Sequence, residues 1–138
     1  MKRVALALAA VAALGGCSFV NEFNDARYNQ NNKTGDNWLS DQTDSAGINI
    51  TGNWTSRDWG EATFRQAGRN ITGTIGNYTV HGVASGDHAY LLIAQGDWYY
   101  YSAVLEFQRP GLLTGQFSRA IPYVKSFGRP MRFELLAH

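Results

Sequence analysis

Residues 70–107 read NITGTIGNYTVHGVASGDHAYLLIAQGDWYYYSAVLEF. Ile, Val, Tyr and Leu recur here at alternate places, and the alternation breaks at Gly76-Asn77, Gly86-Asp87 and Gly96-Asp97. A period of two sends successive side chains to opposite faces of a strand, and links this short join strands that are neighbours and antiparallel. The same pattern extends both ways along the chain. It predicts eight strands, Ile48–Thr55, Trp59–Gln66, Asn70–Ile75, Tyr78–Ser85, His88–Gln95, Trp98–Phe107, Leu112–Arg119 and Met131–Ala137. No stretch carries a strong helical period. Residues 47–138 are therefore expected to form an all-β domain, a small antiparallel up-and-down barrel, because closing a meander removes the edges an open sheet would expose.

Alternation also assigns faces. Ile48, Ile50, Gly52 and Trp54 share one side of the first strand, Tyr99, Tyr101, Ala103, Leu105 and Phe107 one side of the sixth, and Met131, Phe133 and Leu135 one side of the last. These are the expected core. Trp98 and Tyr100 then fall outside, as aromatic area open to a partner. Glycines 52, 73, 82 and 115 each sit between inward apolar neighbours, where a small barrel bends or a facing ring needs room.

The motifs Ile50-Thr51-Gly52-Asn53-Trp54, Trp59-Gly60, Ile71-Thr72-Gly73-Thr74-Ile75 and Leu113-Thr114-Gly115-Gln116-Phe117 resemble the strand motifs of avidin-like eight-stranded barrels. The likeness covers about a third of the chain after residue 17 and implies the architecture. Carried over residue by residue, that family's biotin-contacting positions fall near Ser56, Glu61 and Ile75, none of which keeps the family's pattern. The resemblance thus extends to the barrel and not to the biotin site.

Upstream of the barrel the sequence changes character twice. Lys2 and Arg3 precede an apolar run from Val4 to Leu14 that ends in Gly15-Gly16-Cys17. A basic start, a short apolar stretch and small residues at the cut make an export signal, expected over residues 1–16 and too short for the roughly 20 residues a membrane helix needs. Leu14-Gly15-Gly16-Cys17 resembles the lipobox of bacterial lipoproteins, which implies a lipidated Cys17 anchored in a membrane of the bacterial cell envelope. Ser18, rather than Asp, after that cysteine resembles the pattern that sorts to the outer membrane. Cys17 is the only cysteine, so an exported chain has no internal disulfide to form. Residues 17–46, rich in Asn, Asp, Gln, Ser and Gly, are expected to be a flexible tether holding the barrel roughly 30 Å from its anchor, with Trp38-Leu39 as the part suited to docking on it.

Charge narrows the partners. Of 12 Lys and Arg, Lys2 and Arg3 belong to the export segment, and the remaining ten face 11 Asp and Glu, which leaves no basic surplus for nucleic acid. His81, His88 and His138 show no metal-ligand spacing, so neither metal nor cofactor is expected. Ser85-Gly86-Asp87-His88 sets three catalytic residue types side by side, but the order is that of a turn. Asp58 and Glu61 read as a loop and an outward strand position. The chain therefore reads as a non-enzymatic module. Two modes of binding remain open. A partner protein, glycan or lipid could be held by Trp98, Tyr100 and the long Arg119–Pro130 connection, with Arg119, Tyr123, Lys125, Phe127 and Arg129. A small ligand could instead enter the barrel among Trp54, Tyr99, Tyr101 and Phe117.

Overall fold

The computed structural model describes residues 32–136; the expected export segment, Cys17 and the expected tether as far as residue 31 lie outside the described residues. Eight strands follow in order: β1 (Gly52–Ser56), β2 (Gly60–Ala67), β3 (Asn70–Ile75), β4 (Tyr78–Ser85), β5 (His88–Gln95), β6 (Trp98–Arg109), β7 (Leu112–Ser118) and β8 (Arg129–Leu135). Each pairs antiparallel with the next, and β1 closes on β8 through Trp54 opposite Leu135, giving a closed up-and-down barrel. Its two-residue turns open on glycine at positive φ, +57° at Gly76 and +62° at Gly96, which matches the twist of the flanking strands. The turns after β1, β3, β5 and β7 gather at one end, the mouth, and those after β2, β4 and β6 at the other, the base.

The interior is packed between these ends. Trp54, Phe64, Ile71, Ile75, Leu91, Ile93, Leu105, Leu113, Met131 and Phe133 are buried there, with Phe64 and Phe133 edge to face at 5.6 Å. The inward glycines are occupied space, not openings. A Cβ on Gly73 would collide with the Thr63 carbonyl oxygen and one on Gly115 with that of Val104, so each marks where the adjacent backbone closes in as the sheet coils. Residues 45–50 seal the base. The Gly47 amide donates to the Gly86 carbonyl at 2.7 Å and the Gly86 amide to the Ser45 carbonyl at 2.9 Å, Ile50 is fully buried, and its amide donates to Gln66 Oε1 at 3.0 Å. Ile48–Thr51, expected as strand, belongs to this plug, and β1 begins at Gly52.

Two larger departures from the sequence expectation have separate reasons. Residues 32–40, placed in the flexible tether, form a helix, α1, that runs down the outer wall from mouth to base. At the mouth Asn32 bonds the Asp97 carbonyl through Nδ2 and accepts the Tyr99 amide at 3.0 Å on Oδ1. Lower down, Leu39 is buried and Trp38 meets Tyr90 edge-on at 5.7 Å, so the docking expected of Trp38-Leu39 is present. Arg69 then latches the following segment at the base through the Gln42 carbonyl. Leu92 and Tyr99 lie beneath Gly35, whose missing side chain permits the approach. Only two apolar residues carry the helix face and polar contacts complete it, which leaves no apolar period to read.

The second departure is a β-bulge. The β5–β6 register runs Ile93 opposite Tyr101 and then Ala94 opposite Tyr99, so Tyr100 is an extra residue. One inserted residue reverses the faces of everything before it. Tyr99, expected inside, lies on the outer wall under α1, while Trp98, expected outside, shares a face with Gln95 at the mouth. Leu135, expected in the core, is 46% exposed beside the base.

Candidate ligand-binding mouth

The mouth is floored by rings that alternation and turn geometry bring together. Trp59 lies just before β2, its amide 3.4 Å from Ser56 Oγ in the turn, and its indole covers the packed interior. Tyr78 opens β4, Tyr101 follows the bulge in β6, and Phe117 lies near the end of β7. The indole meets these three edge to face at 5.9, 5.3 and 4.9 Å, and Tyr101 meets Phe117 at 5.7 Å. Such T-shaped contacts contribute about 0.5–1.5 kcal/mol each beyond the burial they bring, so the floor is held rigidly.

Above it is an open basin of about 1310 Å³. Asp58, Gln95 and Arg119 stand at its sides, and the β7–β8 connection forms one wall through residues 126–130. The Arg119 guanidinium carbon lies 6.0 Å from the centre of the Tyr101 ring, within cation–π range. The Tyr78 and Tyr101 hydroxyls share a hydrogen bond, which raises the Tyr78 pKa above the ordinary phenol value; burial adds to the rise and Arg119 opposes it. The wall is braced from within: Ser102 Oγ donates to the Ala120 carbonyl at 2.6 Å, the Ala120 amide to Ser118 Oγ at 2.9 Å, and the Tyr123 hydroxyl bonds Gln116 Oε1. Rings at the bottom and a guanidinium and a carboxylate at the rim suit a ligand with a flat or apolar body and a polar, anionic group.

Residues expected to bind separate on this geometry. Tyr101 and Phe117 line the basin with Arg119, Phe127 and Arg129. Trp54, 2% exposed, is sealed in the interior with its Nε1 on the Ile50 carbonyl at 3.0 Å, and Tyr99 is on the outer wall. Tyr123 braces the loop, Lys125 stands exposed on its 3-10 turn (Lys125–Phe127), and Tyr100 is the half-buried bulge residue. Trp59 and Tyr78 are the floor residues that alternation did not select, Trp59 because it belongs to a turn. A tryptophan inside a tight turn was the available signal.

The base holds a second cluster. His88 Nδ1 is 2.9 Å from Asp87 Oδ1, and Nε2 is 3.2 Å from Glu106 Oε2, which the β5–β6 register sets opposite. The three could serve as ligands for a cation, but the carboxylates flank opposite nitrogens of one ring, so that each nitrogen already faces a carboxylate of its own. Ser85, which the β4–β5 register sets opposite His88, accepts the Asp44 amide on its hydroxyl at 2.9 Å. His81 is exposed on the outer wall.

The chain matches no family model, no curated protein and no solved structure. The mouth must therefore be read from its own chemistry.

Proposed function

We propose that this protein is a lipid-anchored bacterial envelope lipoprotein, attached through Cys17, whose barrel is a non-enzymatic binding module that takes a small amphipathic ligand at its mouth. One observation carries the binding site: the barrel is plugged at its base and packed through its middle, yet opens at the other end over a floor of four rings beside Arg119. The ligand's apolar or planar part would cover Trp59, Tyr101 and Phe117, and its anionic group would face Arg119. The site is shallow, and this fits a cargo held at the rim better than one enclosed in the interior. The lipobox residues support the anchor, and Ser18 after Cys17 supports the outer-membrane address.

Native mass spectrometry of the chain purified from its own host without detergent tests the binding site. A defined small adduct present on the parent chain and lost from Trp59→Ala is the expected result. A bare parent mass, or an adduct that survives Trp59→Ala together with Arg119→Ala, would count against the mouth.

A further inference from the structure

Three large apolar side chains stand exposed among the described residues, and two of them, Val124 at 37% and Phe127 at 66%, lie on the β7–β8 connection at the rim of the mouth. Lys125 lies between them and Arg129 follows Phe127 by two places. The ends of the barrel differ in charge. Arg57, Arg119, Lys125 and Arg129 outnumber Asp58, Glu61 and Asp97 at the mouth, while Asp44, Asp87 and Glu106 outnumber Arg69 and Arg109 at the base. An apolar tip flanked by cations is the chemistry that inserts shallowly into an anionic lipid surface.

The course of the chain adds an independent argument. α1 runs from mouth to base, so the described chain starts at the mouth, where Asn32 is fixed to Asp97 and Tyr99. Only residues 18–31 separate Asn32 from Cys17, and whatever their conformation they span at most about 50 Å. The chain that leads to an anchor at Cys17 therefore leaves the barrel wall at the mouth end. We infer that the mouth faces the membrane carrying the anchor, and that Val124, Lys125, Phe127 and Arg129 dock on the anionic phospholipid surface there. This rests on the proposed lipid anchor. It would let the basin take its ligand directly from the headgroup layer.

The test uses the whole chain from residue 17 with Cys17→Ser, so that no acyl chain contributes, mixed with vesicles of phosphatidylcholine alone or containing about one-third phosphatidylglycerol. Cosedimentation with the anionic vesicles and not the neutral ones is expected. Lys125→Glu should weaken it about five-fold or more, and Phe127→Ser about ten-fold. Both side chains are exposed, so the thermal midpoint should not move. Arg109→Glu at the base should leave binding unchanged. No binding, equal binding to both vesicles, or an Arg109→Glu effect as large as that of Lys125→Glu would overturn the inference. The anchor fails separately. An unmodified Cys17 in protein recovered from host membranes would remove the anchor and leave the vesicle result standing, whereas an acylated Cys17 without vesicle preference would leave the anchor and remove the docking.

Discussion

Tyr99 and Tyr101 stand two places apart in one strand yet on opposite faces of the barrel wall. Tyr101 lies over the packed interior at the mouth, while the Tyr99 hydroxyl donates to Asp36 Oδ1 of α1 at 2.6 Å on the outside. The bulge at Tyr100 thus serves two surfaces with neighbouring rings, one flooring the basin and the other holding the helix.

Tyr99→Phe keeps the ring and removes that hydrogen bond. The expected cost is about 1 kcal/mol, confined to the docking of α1. Amide exchange in residues 32–40 should accelerate while exchange in β3 and β4 stays as it was. Asp36→Asn should give a smaller change in the same place, since the amide oxygen still accepts. Equal acceleration throughout the barrel would mean that α1 and the barrel unfold as one unit.

The same contact sets a pH dependence. Burial, followed by the Asp36 hydrogen bond, raises the Tyr99 pKa well above the ordinary phenol value of about 10. A group whose folded pKa is raised contributes stability that is complete below the unfolded pKa and is lost as pH rises through the folded one. The helix contact should therefore hold through neutral pH and weaken only above about pH 10. Following exchange or fluorescence of Trp38 against pH checks this, and Tyr99→Phe should flatten the alkaline loss. A helix that detaches in acid instead would contradict the assignment.

How much of this was legible in sequence depends on which force writes the feature. Seven of the eight strands start within two residues of where alternation placed them, because a half-buried sheet imposes a period of two on its side chains. The bulge leaves no such mark: Trp98-Tyr99-Tyr100-Tyr101 is aromatic at every position, so a slip of one residue changes no letter in the pattern. α1 is hidden for the opposite reason. Its contacts are made by Asn32, Asp36 and the absent side chain of Gly35, and these read as loop residues. At the mouth, Tyr101 and Phe117 follow from alternation, whereas Trp59 depends on how a turn folds over the barrel end.

Two fully buried residues separate wall from core. Leu92 lies on the outer wall beneath α1, and Phe133 lies within the barrel against Phe64. Phe133→Ala should cost about 3–5 kcal/mol and lower the midpoint of the whole barrel. Leu92→Ala should cost less, about 2–3 kcal/mol, since α1 can settle toward the gap, and its effect should again centre on residues 32–40. Denaturation followed by both circular dichroism and Trp38 fluorescence distinguishes the two. Coincident transitions in both variants would show that helix and barrel are not separable.

Gly115→Ala tests whether the inward glycines are structural. The added Cβ would meet the Val104 carbonyl oxygen and come within 2.8 Å of the Leu105 Cα, both backbone atoms of the paired strand that cannot rotate away. A loss of about 2–3 kcal/mol is expected from this overpacking. Gly96→Ala offers a contrast, because it has open space around it and only its positive φ to oppose the substitution, for a loss of about 1 kcal/mol. If Gly115→Ala were as mild as Gly96→Ala, the strands would have room between them and the barrel would be looser than its packing implies.

At the mouth, stability and binding should come apart. Trp59 is half-buried and rests on Tyr78, Tyr101 and Phe117 without filling the core beneath, so Trp59→Ala removes the centre of the floor while Phe64, Phe133 and Trp54 keep the barrel together. Its expected stability loss, about 1–2 kcal/mol, is well below the Phe133→Ala figure. Its effect on retention of an amphipathic ligand should be ten-fold or more, about 1.4 kcal/mol in affinity. Arg119→Ala should leave stability nearly unchanged, since the residue is exposed and its guanidinium stands 6.0 Å over the Tyr101 ring, and should weaken anionic ligands more than neutral ones of the same shape. Thermal midpoints measured beside ligand retention decide the matter. If Trp59→Ala lowered the midpoint as far as Phe133→Ala does, the four rings would be the top layer of the core and not the floor of a binding site.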